Sequence, residues 1–184
     1  MHKSIKDSAI RIILRLQIDT MKHKTTLLLG TNLGDRNQNL KMARELIKKE
    51  IGLISRNSSV YETAAWGVTD QADFLNQVVI IETAMAPEVL LKKCLGIEHQ
   101  MGRVRIRKWD KRFIDIDILY FEDQIIDTEY LTIPHPGIQD RRFTLVPLVE
   151  VVPNQLHPIL SKTHTLLLEE CPDKLTVELY LGQN

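Results

Sequence analysis

The stretch Trp109-Asp110-Lys111-Arg112-Phe113-Ile114-Asp115-Ile116-Asp117-Ile118-Leu119-Tyr120-Phe121 combines a β-strand pattern with two acids that a purely structural strand has no use for. In an extended chain side chains alternate between faces and each residue rises ~3.3 Å, so Ile114, Ile116, Ile118 and Tyr120 line one face. Asp115 and Asp117 then project together from the other face, their roots ~6.6 Å apart. Carboxylates that close repel each other unless positive charge lies between them, and hard oxygen ligands favour Mg2+ bound jointly with substrate phosphates. One ion, or a pair ~3.5–4 Å apart, would relieve the repulsion and clamp a phosphoryl group. The alternative is a solvated edge face whose acids pair with neighbouring Lys or Arg.

The residues before the acids favour the metal reading. Arg103, Arg105, Arg107, Lys108, Lys111 and Arg112 precede them, offset only by Asp110. Cations for phosphate oxygens beside acids for a bridging metal form the layout of a nucleotide phosphoryl-transfer centre. Over the whole chain charge is balanced: the formal net charge is +0, which argues against broad affinity for nucleic acid or a membrane surface. At 184 residues, 43% hydrophobic and 26% charged, the chain fits one domain with a real core. Cys94 and Cys171 stand far apart without metal-type spacing, which predicts free thiols in a reducing, cytoplasmic compartment. No apolar run approaches ~18 residues, so no membrane-spanning helix is expected.

Outward from the acidic strand, the other elements follow from periodicity and caps. Residues 25–29 are an apolar run that stops at Gly30-Thr31-Asn32-Leu33-Gly34-Asp35, a strand entering a tight loop. Asp35 and Gln38 make a capping box for a helix striped with Leu40, Ala43, Ile47 and Ile51 and ended by Gly52. The loop lacks the spacing of a P-loop and of a dinucleotide-binding glycine motif, so any ATP binds by other means. Residues 54–62 read as a second strand and 74–83 as a third. The long polar connection between them carries Trp66, on a functional loop or packed back onto the sheet.

Pro87 opens a second helix whose apolar side includes Leu90, Cys94, Ile97 and Glu98 and whose terminator is Gly102. A carboxylate on that side needs a partner, either an arginine from 103–112 or a ligand. Beyond the acidic strand, Glu122-Asp123 is expected to turn a hairpin into Ile125-Ile126, and 130–135 forms an edge segment ending at Pro134-His135. Asp140 is expected to cap a short helix holding Arg141, Arg142 and Phe143 that is disturbed at Pro147. Residues 163–170 read as a helix and 175–181 as a last strand. The order strand, helix, strand, strand, helix, strand is an α+β, ferredoxin-like βαββαβ core. Its sheet is mostly antiparallel with both helices on one face, followed by a C-terminal hairpin and helices. Residues 25–184 are expected to form this single domain. Residues 1–24 are an extension, either a short amphipathic helix or sequence upstream of the natural start near Met21.

With these pieces in order, the chain resembles the 6-hydroxymethyl-7,8-dihydropterin pyrophosphokinases of folate biosynthesis. The likeness runs over about 25–153 and is carried by several blocks in sequence. They are Gly30-Thr31-Asn32-Leu33-Gly34-Asp35, Asp70-Gln71-Ala72-Asp73-Phe74-Leu75-Asn76, Glu98 through Gly102-Arg103-Val104-Arg105, Arg112-Phe113-Ile114-Asp115-Ile116-Asp117, and Pro134-His135. The resemblance implies transfer of pyrophosphate from ATP to the pterin hydroxymethyl oxygen, leaving AMP. It implies two Mg2+ ions on Asp115 and Asp117, with Arg105 and Arg112 beside them as catalytic residues. It places ATP contacts on Glu98, Arg103, Arg105, Trp109, Arg112, Thr132, His135 and Arg141. The pterin site falls on Thr31, Asn32, Thr63, Trp66, Phe74, Asn76 and Phe143, with the ring stacked between the two phenylalanines. A monomer acting on small molecules, with no nucleic-acid or membrane partner, is the implied state.

The departures from the family pattern are local. Asp110-Lys111 stands where the family often has Gly-Pro, and Ala64 and Ala65 replace common prolines. Two other readings remain open at this point. One is a two-metal transferase with a different acceptor, which would keep the aspartates but has no use for Phe74, Asn76 and Phe143 together. The other is a ferredoxin-like binding or regulatory module with solvated acids.

Overall fold

The computed structural model describes residues 22–64, 72–102 and 113–182. Trp66, Arg103, Arg105, Trp109 and Arg112 therefore lie outside the described residues, as does the stretch 1–20. Eight strands and four helices are described: β1 (His23–Thr31), α1 (Arg36–Glu50), β2 (Leu53–Asn57), β3 (Tyr61–Thr63), β4 (Phe74–Thr83), α2 (Pro87–Gln100), β5 (Asp115–Phe121), β6 (Ile126–Asp127), β7 (Thr132–Ile133), α3 (Arg142–Val151), α4 (His164–Glu170) and β8 (Val177–Leu179).

The main sheet runs β5-β1-β4-β3-β8, with β2 also on β4, and every pairing in it is antiparallel. β1 and β4 are central because their apolar runs, Leu27 to Leu29 and Val78 to Ile81, are buried on both faces. This is the expected split βαββαβ order.

The two core helices form as their caps dictate. Asp35 accepts from the Gln38 backbone N–H at 2.9 Å, and Pro87 sits in the first turn of α2, where a missing N–H costs nothing. Both lie on one face of the sheet. Leu40, Ala43 and Ile47 of α1 and Leu90, Cys94 and Ile97 of α2 bury against Leu27, Leu29, Leu75, Val79, Ile81, Ile114, Ile116 and Ile118. Each of the leucine, isoleucine and valine side chains among them contributes about 1.5–3 kcal/mol on burial. Gly52 follows α1 for a steric reason rather than a left-handed backbone: a β-carbon there would lie 2.1 Å from the Glu82 carbonyl oxygen.

The opposite face is not left to loops alone. Leu28, Val78, Ile80, Leu119 and Tyr120 form a second core with Leu145, Leu148 and Val151 of α3 and Leu167 of α4. Tyr120 belongs to this second core and not with Ile114, Ile116 and Ile118. The register explains the change: Leu27 faces Ile118, but Thr26 faces Tyr120, so Leu119 is an extra residue and β5 bulges. A bulge swaps the faces beyond it, which sends Leu119 and Tyr120 to one side and Phe121 to the other.

Four further expectations are corrected. The single strand over 54–62 is two strands. Ser58 interrupts it, taking the Val78 carbonyl at 2.9 Å with its N–H and the Val78 N–H at 3.0 Å with its hydroxyl. The hairpin after β5 is not with β5: β6 pairs with β7 as a separate two-stranded unit. Asp140 does not cap α3; Asp173 from the C-terminal tail accepts the Arg142 N–H at 3.0 Å. Pro147 lies inside α3 and buried, and the helix continues past it to Val151 with the loss of the one N–H that proline lacks.

Candidate active site

Along β1, β4 and β5 the second face changes character within two residues. Leu28 and Val78 pack under α3, and the next positions on the same side are Gly30 and Asn76. Register places Gly30 between Asn76 and Asp115, and Leu28 beside Asp117. Gly30 is a floor: a β-carbon there would lie 3.4 Å from Asn76 Oδ1 and 4.0 Å from both the Asp115 β-carbon and Phe74 Cδ1. Asp115 and Asp117 thus share the side of the sheet away from α1 and α2, half-buried, as alternation predicted.

Beside that floor the structure brings Phe74, Asn76 and Thr63 together, whereas Thr31, paired with Leu75, turns its side chain to the α1 face. Asn76 is buried and its amide donates to Thr63 Oγ1 at 2.9 Å across the β3–β4 pair. Thr31 and Asn32 close β1, both buried. Their loop is held by Asn39 of α1, whose amide donates to Thr31 Oγ1 at 3.3 Å and the Leu33 carbonyl at 2.8 Å. Phe143 stands half-buried in the first turn of α3, with the Arg141 guanidinium 6.0 Å from its ring centroid.

Glu98 is 3% exposed on the inner side of α2. Its Oε1 accepts the Ile116 backbone N–H at 2.8 Å, and the arginines expected to meet it, from 103–112, lie outside the described residues. That bond lies on the free edge of β5 between the two aspartates and fixes the strand that carries them. Burial, with the Glu98 and Asp117 charges adding to it, pushes the neighbouring Cys94 thiol up to about 12. Cys94 is therefore an inert core residue, and Cys171 is likewise buried and free.

His135 reaches the site from the segment after β7. Its N–H donates to the Leu119 carbonyl, at the bulge, at 3.0 Å, and its Nδ1 accepts the Gly137 N–H at 3.1 Å. An Nδ1 that accepts leaves the ring proton on Nε2. Burial lowers the His135 pKa to about 4, the Arg141 charge helps, and the Asp115 carboxylate opposes. The ring is neutral at physiological pH and serves as a hydrogen-bond donor. Thr132 is exposed on the small hairpin, its hydroxyl 3.5 Å from Asp127 Oδ1.

Gly102 and Phe113 flank the cationic run. The Phe113 ring lies 3.4 Å from where β-carbons of both Gly34 and Gly102 would sit, so the described ends of that segment meet beside the Gly30–Asp35 loop. Among the described residues no group of three or more His, Cys, Asp or Glu gathers to hold a metal unaided. Two carboxylates with the remaining positions left to water or phosphate oxygens is the donor set that suits Mg2+. Alternation found Asp115 and Asp117, whereas the Gly30 floor needed strand register and the Asn39 tether a side-chain contact across the turn into α1. A cavity of about 940 Å³ lies toward the far end of the sheet, lined by Lys24, Arg56, Tyr120, Gln155 and others, and contains none of the nominated residues. No helix among the described residues is long and apolar enough to cross a membrane.

Comparison with known proteins agrees with this geometry. The model of the 7,8-dihydro-6-hydroxymethylpterin-pyrophosphokinase (HPPK) family matches residues 26–153. The 2-amino-4-hydroxy-6-hydroxymethyldihydropteridine pyrophosphokinase of Aquifex aeolicus is 42% identical over 134 residues, 73% of this chain and 83% of that one. The Bacillus subtilis enzyme of the same name is 40% identical over 132 residues, 71% and 79% of the two chains. Among solved structures, wild-type Plasmodium falciparum HPPK-DHPS with pteroate superposes with a TM-score of 0.69 at 20% identity, covering 82% of this chain but 42% of that longer one. That likeness speaks for the fold. The chain belongs to the HPPK family: it is a pyrophosphokinase, an enzyme of folate synthesis that uses ATP as co-substrate and a 6-hydroxymethylpterin as acceptor.

Proposed function

We propose that pyrophosphate passes from ATP to the hydroxymethyl oxygen of 6-hydroxymethyl-7,8-dihydropterin over the Gly30 floor, with AMP as the other product. The observation that carries this reading is the juxtaposition of Asp115, Gly30, Asn76 and Phe74 on one side of the sheet, away from α1 and α2. An acid pair and an aromatic, amide-lined surface adjoin there across a single glycine.

Each side chain has a role that its position supports. Phe74 and Phe143 hold the flat pterin ring, and Asn76, Thr63, Thr31 and Asn32 meet its polar edge, with Trp66 expected to close the pocket. Asp115 and Asp117 would hold two Mg2+ ions, whose charge would neutralise the phosphate oxygens. Arg141 and neutral His135 face the phosphates, and Arg103, Arg105, Trp109, Arg112, Thr132 and Glu98 complete the nucleotide side. Phosphoryl transfer is largely positioning and charge stabilisation, which this set supplies without a dedicated general base. On this reading residues 25–184 act as one domain and as a monomer. Two buried free thiols suit the reducing cytoplasm.

The test is stoichiometric. With ATP, Mg2+ and the pterin, AMP and pterin diphosphate should appear in equal amounts, and omission of the pterin should stop AMP release. ATP turnover that ignores the pterin contradicts the assignment.

A further inference from the structure

We infer that Arg36, which none of the nucleotide or pterin assignments includes, is a positioning residue for the acceptor pocket. This rests on the pocket proposed above. Arg36 opens α1 directly after the capping Asp35, and its guanidinium reaches off the helix to two other segments. Nη1 lies 2.6 Å from Glu62 Oε1 and donates to the Asp73 carbonyl at 2.8 Å, while the guanidinium carbon sits 5.9 Å from the Tyr180 ring centroid.

Each segment that it joins carries one wall of the pocket. The loop before α1 carries Thr31 and Asn32. Glu62 immediately precedes Thr63, the partner of Asn76, and Asp73 immediately precedes Phe74. The pair also solves a local electrostatic problem. Glu62 lies directly opposite Glu178 on β8, and like charges so placed destabilise a sheet unless a cation sits beside them. A charged donor that bridges a carboxylate and a carbonyl is worth more than a neutral bond, and the planar fork of arginine suits two acceptors at once. The groups that Arg36 meets on Glu62 and Asp73 adjoin Thr63 and Phe74, so its effect should fall on the acceptor and spare the nucleotide.

The experiment measures KM for the pterin and for ATP, kcat, and the melting temperature in the full chain. Arg36→Gln should raise the pterin KM about tenfold with the ATP KM within about twofold, and Arg36→Lys should recover part of the loss. Arg56→Gln is the stability control. It removes another arginine-to-carbonyl bond, 2.6 Å to Val151 at the far end of the sheet, and should leave both KM values unchanged. Phe74→Ala separates the two ideas. If it raises the pterin KM while neither Arg36 variant does, the positioning role is wrong and the pocket stands. If Phe74→Ala leaves the pterin KM unchanged, the pocket itself is misplaced and the role falls with it. Equal losses for ATP and pterin in Arg36→Gln, or an equal pterin loss in Arg56→Gln, would also overturn the inference.

Discussion

The same three strands present two unlike surfaces on one side of the sheet. Over Leu28, Val78 and Ile80 lie Leu145, Leu148 and Val151 of α3, and water is excluded by close packing. Two residues further along β1 and β4 stand Gly30 and Asn76, with Asp115 beside Gly30 on β5 and Asp117 at the boundary, paired with Leu28. Backbone hydrogen bonding is continuous across the boundary, so the difference lies in side chains alone. Where they are large and apolar, the sheet spends the face on stability. Where they are small, polar or acidic, no helix can cover them cheaply, and the face is left for ligands.

The largest expected effect separates the two surfaces by function. Asp115→Ala or Asp117→Ala should lower turnover at least ~10³-fold while the melting temperature moves by only a few degrees. Leu28→Ala, at the position paired with Asp117 on the neighbouring strand, should do the reverse, costing about 2–5 kcal/mol in denaturant unfolding with the pterin KM unchanged. If either substitution behaved like the other, the boundary would be misdrawn.

A third prediction concerns the packed surface alone. His164 is fully buried there: its Nδ1 donates to the Val152 carbonyl at 2.8 Å, and its Nε2 accepts from the Tyr120 hydroxyl at 3.0 Å. Burial lowers its pKa from 6.5 to about 4. Between those values the unfolded chain binds a proton that the folded chain refuses, so stability falls as pH drops through that window and levels off below it. His164 contributes of order 3 kcal/mol to that fall, and His157 and His135, also lowered, act in the same direction. Denaturant midpoints measured from neutral pH downwards check the slope; a flat profile contradicts a neutral buried histidine. Smallest is the effect of filling the glycine floor. Gly30→Val suits a strand, so stability should hold, but the added methyl groups intrude on Asn76 and Phe74 and should raise the pterin KM about tenfold.

Much of this was readable from residues in order, and what was not shares a physical cause. Local periodicity and caps announced β4, α1, α2 and the acidic face of β5, because each depends on neighbours within a few residues. The bulge at Leu119 left no mark, since residues 118–121 are uniformly apolar and either face accepts them. The cap of α3 was misassigned to Asp140 because its true donor of oxygen, Asp173, arrives from the far tail. In the site, the aspartates follow from alternation and Phe74, Asn76 and Phe143 from family resemblance. Gly30 as a floor and Arg36 as a bridge depend on contacts between distant segments, whereas Asn39 as a tether is local, to Thr31 and Leu33, but has no sequence pattern that marks it.

The most direct test is a crystal structure of the chain with Mg2+, a nonhydrolysable ATP analogue and hydroxymethyl-dihydropterin. The account predicts metal density between Asp115 and Asp117 and the pterin ring between Phe74 and Phe143, over Gly30. Metal or pterin bound elsewhere, with the aspartates left to solvent, would contradict it.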